Sequence, residues 1–240
     1  MPSRTAPPSE GGFSTYRENA LHASLKEHYA GPEARFEVEV EGFVADAVRD
    51  GVLIEIQTAN FGAMRKKLGV LLPHHPVRLV HPVAVERYLL REDVTGARLS
   101  RRRSPKKGRW EDVYLELVAF PELMREPNFT LVVALVHEEE VRMVDGVKRR
   151  RGRDWRKVER RLLEVVGERT FAEVGDLQRA LPPDLPSPFT TADLASAGQL
   201  PRWLAQKMAY CLRRMHAIVA VGKQGNAIEY ELTGAPQAES

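Results

Sequence analysis

Two carboxylates and an amide are spaced along residues 43–58 in a pattern that could hold a metal ion. This segment, FVADAVRDGVLIEIQT, has alternating apolar residues on both sides of Asp50-Gly51, a pair that favours a two-residue type I′ turn. Such a hairpin places Asp46 opposite Glu55, and Gln57 lies two residues further along the same face of the sheet. Facing carboxylates lie roughly 5 Å apart and repel each other, and a hard divalent cation with oxygen ligands offsets that repulsion.

The opposite face of the same hairpin is apolar. Ala45 and Ala47 flank Asp46 on the first strand, and Ile54 and Ile56 flank Glu55 on the second. We therefore expect one side of the hairpin to pack on a core and the other to present the polar groups. The alternative is a solvated face on which the acids bind nothing.

The hairpin is flanked by elements that could position it. Residues 15–18, TYRE, have the form of a capping box, which predicts a helix running to about Ala30. Residues 63–72 predict a basic amphipathic helix whose outer side carries Arg65, Lys66 and Lys67. Residues 76–83, PVRLVHPV, predict a buried strand.

These acids and elements resemble the PD-(D/E)XK nuclease superfamily in its E-x-Q form. The resemblance implies a restriction-endonuclease-like α/β fold, a mixed sheet flanked by helices. It also implies that Asp46 and Glu55 bind Mg²⁺ or Mn²⁺, and that Gln57 stands where most members have a lysine. In the resemblance Glu18 is the helix glutamate that supports the site, although the alternative is that Glu18 only closes its own helix cap.

Composition limits the remaining possibilities. The chain has 240 residues, 43% hydrophobic and 29% charged, as expected of a soluble globular protein. No apolar run approaches membrane-spanning length, the polar N-terminus has no apolar signal-peptide core, and Cys211 is the single cysteine. We therefore expect a cytoplasmic protein with no membrane partner, no internal disulfide and no cysteine zinc site. A homodimer is compatible with the sequence.

The net charge of +3 is small, but the basic residues are concentrated. Residues 98–109, RLSRRRSPKKGR, contain no acid, and a second basic run begins at Lys148. Concentrated positive charge predicts a polyanionic partner, here DNA. The first run could be a mobile loop over the substrate, and its alternative is a solvated loop. The candidate DNA contacts in this half of the chain are Arg65, Lys66, Arg101, Arg102, Arg103, Lys106 and Lys107.

Two more strands are predicted after the first basic run. They cover residues 110–120 and 129–136, and the second, FTLVVALV, is apolar enough to be buried on both faces. Glu138, Glu139 and Glu140 follow it and predict a solvated strand end.

The C-terminal part of the chain is predicted to begin with helices. Residues 155–166 and 171–181 form the first two, followed by a short helix at 190–198 and a longer one at 201–216. Strands at 217–221 and 227–232 would then form a hairpin around GKQGN. From residue 190 on, this order resembles winged helix-turn-helix modules, which bind DNA through the second helix or mediate protein contacts. The candidate DNA contacts are Arg202, Gln206, Lys207, Arg213, Arg214 and Lys223.

Taken together, the patterns predict a metal-dependent DNA endonuclease that acts in repair, recombination or defence. The alternative is a catalytically inactive DNA-binding protein that retains the nuclease fold, since the expected lysine is missing. An RNA-processing factor would need aromatic stacking surfaces that the sequence does not clearly offer. The predicted domains are a disordered tail at 1–13, the nuclease-like domain at 14–150, the winged helix at 151–234 and a tail at 235–240.

Overall fold

The computed structural model describes residues 20–149 and 152–234. The helices are α1 (Ala20–Ala30), α2 (Arg65–Leu71), α3 (Tyr114–Leu117), α4 (Val174–Arg179), α5 (Thr191–Ala197) and α6 (Arg202–Arg214). The strands are β1 (Arg35–Val40), β2 (Phe43–Arg49), β3 (Val52–Ile56), β4 (Val77–Glu92), β5 (Arg98–Arg103), β6 (Phe129–Arg149), β7 (Arg153–Phe171), β8 (Ile218–Gln224) and β9 (Ala227–Leu232). Short 3-10 helices lie at Phe61–Met64, Trp110–Val113 and Pro121–Arg125.

Seven strands form one mixed sheet in the order β1-β2-β3-β4-β6-β7, with β5 paired to β4. The pairs β3-β4 and β4-β6 are parallel, and the other pairs are antiparallel. The protein is therefore mixed α/β with helices flanking a mixed sheet, which confirms the predicted class at this level. Among residues 20–149 and 152–234, no helix has the length and apolar character needed to span a membrane.

The predicted β2-β3 hairpin is confirmed, and so is its register from the turn to Ala47, but the predicted pairing of Asp46 with Glu55 is not among the pairs of these strands. Ala47 pairs with Ile54 and Arg49 with Val52 across a two-residue loop. Both loop residues have positive φ, 51° at Asp50 and 79° at Gly51, as a type I′ turn requires.

The alternative of a solvated hairpin face is wrong, because helices cover both faces. Ala47 and Ile54 pack in a cluster with Leu21 and Leu25 of α1. The opposite face, which includes Leu53, packs in a second cluster with α2. The acids therefore lie inside a layered structure and not on an open sheet.

β1 was not predicted and precedes the hairpin at the edge of the sheet. Its residues, RFEVEV, are mostly exposed, because β1 has a neighbour on one side only. With β1 included, the N-terminal order is helix, three antiparallel strands, helix and a strand parallel to the third.

The prediction of a helix over residues 155–166 is wrong, because this segment lies in β7 and pairs with β6. Leu162 and Val165 both pack in the cluster beneath α1, although residues three apart face opposite sides of a regular strand. The register shifts between these two positions, and the extra residue returns their side chains to one face. A bulge therefore produced an apolar spacing that imitates a helix. The main sheet thus includes β7, although its residues fall within the range predicted for the winged-helix domain, 151–234.

The predicted strand over residues 110–120 is also wrong, because a 3-10 helix and α3 occupy it. The Asp112 carboxylate accepts a hydrogen bond from the Arg109 amide at 3.2 Å, which caps the first turn. Val113 and Leu117, four residues apart, are both buried, as expected for a helical face.

The basic run at 98–109 is not one loop, since its first half forms β5 against β4. The predicted solvated position of Glu138, Glu139 and Glu140 is wrong too, because all three are buried in β6. Glu138 is 0% exposed and forms ion pairs with Arg87 of β4 and Arg160 of β7. β6 continues along the centre of the sheet, so arginines from both neighbouring strands neutralise this acid.

The C-terminal elements α5, α6 and the β8-β9 hairpin occur in the predicted order. Thr190 caps α5 in a reciprocal arrangement with Asp193. Leu204, Met208 and Leu212 of α6 are buried and join the same core cluster as the residues beneath α2. The C-terminal helices thus share a core with the sheet.

Candidate metal centre

Asp46 lies where β2 and β3 part, just beyond the last paired residues, Ala47 and Ile54. Its Oδ2 accepts a hydrogen bond from the Ile56 amide at 2.8 Å and lies 3.2 Å from His22 Nε2 of α1. Burial raises the pKa of the Asp46 carboxyl, but the hydrogen bonds with His22 and the Ile56 amide outweigh it and hold the pKa below its usual value. Asp46 is therefore ionised at neutral pH.

Glu55, on β3, is 3% exposed and faces the same side of the hairpin. Lys67 Nζ lies 2.6 Å from Glu55 Oε1 and also donates to the Val44 carbonyl at 2.6 Å. Burial raises the pKa of Glu55 to about 7, although the Lys67 charge opposes this shift and the Asp46 charge adds to it. The two carboxyls of the hairpin thus have pKa values shifted in opposite directions.

Lys67 is a site residue that the sequence analysis missed, because it was placed on the outer side of α2. The structure turns it inward onto the hairpin. The helical spacing indicates this inward orientation, since Lys67 comes three residues after Met64 and four before Leu71, both of which are buried. His22 was likewise not assigned to the site, and it brings α1 to Asp46.

The predicted site residue Gln57 forms hydrogen bonds with the loop that follows β3. Gln57 Nε2 donates to the carbonyls of Ala59 at 2.5 Å and Asn60 at 3.2 Å. The amide therefore holds the loop after β3. Glu18 and the predicted capping box lie outside the described residues.

The donor set fits a hard cation with few protein ligands. Mg²⁺ commonly keeps several waters and is bound through one or two carboxylates together with substrate phosphates. Asp46 and Glu55 supply two carboxylates at one point, although no group of three or more His, Cys, Asp or Glu suited to a metal occurs within 20–149 and 152–234. The residues therefore suit Mg²⁺ or Mn²⁺ better than a closed structural zinc site.

The candidate DNA contacts of the N-terminal half differ in how far acids neutralise them. Arg65 pairs with Glu122 at 3.1 Å, and Arg101 pairs with Glu139 at 2.7 Å. Arg103 also pairs with an acid. The exposed residues of this set without an ion pair in the described part of the chain are Lys66, Arg102, Lys106 and Lys107.

The outer face of α6 carries positive charge that no acid within 20–149 and 152–234 neutralises. The helix sequence, RWLAQKMAYCLRR, contains no acidic residue. Its basic side chains form no ion pair with any described residue and are exposed, as is Gln206 between them. The predicted contacts on this face are Arg202, Gln206, Lys207, Arg213 and Arg214, and the exposed Lys223 lies in β8.

The chain belongs to the family described as "Domain of unknown function (DUF8091)", which matches residues 19–172. This match spans the main sheet from α1 to the end of β7, including both carboxylates and Lys67. An uncharacterized protein of Treponema pallidum (strain Nichols) is 34% identical over 187 residues, 78% of this chain and 74% of the relative. No solved structure matches the chain.

Proposed function

We propose that this chain is a metal-dependent deoxyribonuclease with a PD-(D/E)XK-like core and a winged-helix module. The observation that carries the proposal is the meeting of Asp46, Glu55 and Lys67 where β2 and β3 part. The order of α1 to β4 supports it, because the resemblance requires a helix, an antiparallel hairpin with the acids, a helix and a further strand.

Asp46 and Glu55 have complementary roles in this proposal. Asp46, ionised at neutral pH, would bind the cation throughout the working range. Glu55 must lose its proton before it can bind, because its pKa is about 7. When bound, the cation lowers the pKa of a water molecule and stabilises negative charge on the phosphate oxygens.

Lys67 would supply the positively charged side chain that most members of the superfamily have two residues after the glutamate. This chain has Gln57 at that position. Its ammonium group reaches Glu55 from α2, with its position fixed by the hydrogen bond to the Val44 carbonyl. A charged donor held beside the reacting phosphate stabilises developing negative charge. Gln57, which stands at the lysine position in the resemblance, donates hydrogen bonds to the following loop.

DNA would contact the C-terminal module through α6. The order α5, α6 and β8-β9 supports a winged-helix assignment, and the basic outer face of α6 suits a phosphate backbone. Repair, recombination and defence all use enzymes of this class, and the site is compatible with each.

The test is a cleavage assay on linear, nicked, single-stranded and branched DNA with Mg²⁺, Mn²⁺ or a chelator. We expect metal-dependent cleavage of at least one substrate by the native protein, and none by Glu55→Gln. Glu126→Gln is the matched control, because Glu126 is an exposed acid between the last 3-10 helix and β6, outside the hairpin and its neighbouring strand β1. Equal cleavage by all three proteins would contradict the proposal.

The second candidate function is a DNA-binding protein without catalysis. It is favoured by one observation, the Lys67–Glu55 ion pair, which neutralises the buried carboxylate without a metal. DNA binding without cleavage on every substrate, together with no heat of Mg²⁺ or Mn²⁺ binding, would support this alternative.

A further inference from the structure

A groove of about 660 Å³ separates α6 from the β8-β9 hairpin. Arg202, Gln206 and Tyr210 form its helical wall, and Asn226 and Ile228 form the wall on the hairpin side. This volume lies within the range of roughly 300–1,000 Å³ in which compact organic ligands are bound. The groove thus has room for a small number of nucleotides.

The charge of this groove favours an extended polyanion. Arg202, Arg213 and Arg214 line it, and no acidic residue does. None of these arginines forms an ion pair within the described residues. Their guanidinium groups are therefore available for phosphates, to which arginine binds with two parallel hydrogen bonds.

The same wall offers an aromatic ring between the charges. Tyr210 is 51% exposed and lies four residues after Gln206 and three before Arg213, on one face of α6. A ring that is half exposed beside arginines is suited to stack on an unpaired base. The amides of Gln206 and Asn226 flank it and can form hydrogen bonds with base edges.

We propose that this groove binds a single-stranded segment of nucleic acid, with a base stacked on Tyr210 and phosphates on the arginines. The inference rests on the proposed function only in taking DNA as the partner. The preferred substrate would then contain unpaired nucleotides. Besides any contact with the major groove of a duplex, α6 would bind a single strand.

The test measures binding by fluorescence anisotropy in a chelator, so that cleavage plays no part. The probes are a labelled oligothymidylate and a duplex of equal length. We expect Tyr210→Ala to lower affinity for the single strand by roughly 5-fold to 100-fold, because the stacking of one base is removed. Tyr210→Phe keeps the ring and should retain native affinity within about 2-fold.

Trp203→Ala is the matched control, because Trp203 is equally exposed at 51% on the same helix but does not line the groove. We expect this variant to bind the single strand within about 2-fold of the native protein. The inference is overturned if the duplex binds as tightly as the single strand, or if both alanine variants lose affinity equally. Absence of cleavage alongside Tyr210-dependent binding would overturn the nuclease proposal and leave this one standing.

Discussion

Lys67 Nζ lies 2.6 Å from Glu55 Oε1, so a helix residue supplies a positive charge to the acidic hairpin. In sequence, Lys67 is separated from Glu55 by the loop after β3 and by a turn of 3-10 helix. The ion pair forms because α2 packs across the hairpin face that contains Leu53. It places an ammonium group at the carboxylates although position 57 is an amide.

Lys67→Met should lower the cleavage rate by roughly 100-fold or more, because it removes a fixed charged donor beside the reacting phosphate. Lys66→Met, at the adjacent exposed lysine, is the control: it removes a candidate DNA contact and not a site charge, so at saturating DNA it should cleave at nearly the native rate. Rates are compared under single-turnover conditions. A native rate for Lys67→Met would show that the ammonium group has no part in the reaction.

A lysine at position 57, directly after β3, should restore part of the cleavage activity that Lys67→Met loses. We expect the double variant Lys67→Met/Gln57→Lys to cleave faster than Lys67→Met alone, since position 57 is the usual lysine position in the resemblance. No rescue by the double variant would argue against an equivalent role for the two positions.

Gln57→Ala alone should destabilise the fold by about 1 kcal/mol, because it removes the hydrogen bonds to the Ala59 and Asn60 carbonyls. Chemical denaturation measures that change.

Metal affinity should rise with pH through about 7. Burial raises the pKa of Glu55 to about 7, so below that pH a proton must leave before the carboxylate binds a cation. Asp46, whose pKa is lowered, is already ionised and adds no dependence in this range. Calorimetric titration with Mn²⁺ should therefore show roughly tenfold weaker binding for each pH unit below 7. Affinity independent of pH between 6 and 8 would place the ligands elsewhere.

The hairpin was predictable because its information is local. Asp50-Gly51 specifies the turn, the turn fixes the register, and the register places Asp46 and Glu55 just beyond the last pair, Ala47 and Ile54. The position of Lys67 was not predictable in this way, because it depends on how α2 packs against the sheet.

β7 was mistaken for a helix for a different physical reason. The bulge between Leu162 and Val165 puts residues three apart on one face, a spacing that periodicity alone assigns to a helix. Glu138 was misplaced because the arginines that neutralise it, Arg87 and Arg160, lie 51 and 22 residues away in sequence on neighbouring strands.

The basic residues should separate into those that bind DNA and those that form structural ion pairs. Arg213→Gln and Arg214→Gln together should weaken DNA binding and reduce the salt slope by roughly 0.7 to 0.9 for each phosphate that is no longer neutralised. Arg101→Gln should leave the slope unchanged, because Arg101 pairs with Glu139. Anisotropy titrations over a range of salt concentrations measure both. A reversed result would move the DNA site from α6 to the sheet.

Glu138→Ala should destabilise the fold by roughly 3 kcal/mol or more. Glu138 is fully buried, and its removal would take away the acid that pairs with both Arg87 and Arg160. Urea unfolding measures the change. Glu164→Ala, an exposed acid on β7, is the control and should alter stability by no more than about 0.5 kcal/mol.

The central claim is that the acids of the β2-β3 hairpin form a metal-dependent catalytic site. Its most direct test is cleavage of DNA by Asp46→Asn in Mg²⁺, beside Asp50→Asn as the matched control. Asp50 is an exposed turn residue of the same hairpin with positive φ, a conformation that asparagine also tolerates. We expect Asp46→Asn to bind DNA with native affinity without cleaving it, and Asp50→Asn to cleave at the native rate. Cleavage by Asp46→Asn at the native rate would show that this carboxylate is not part of a catalytic site.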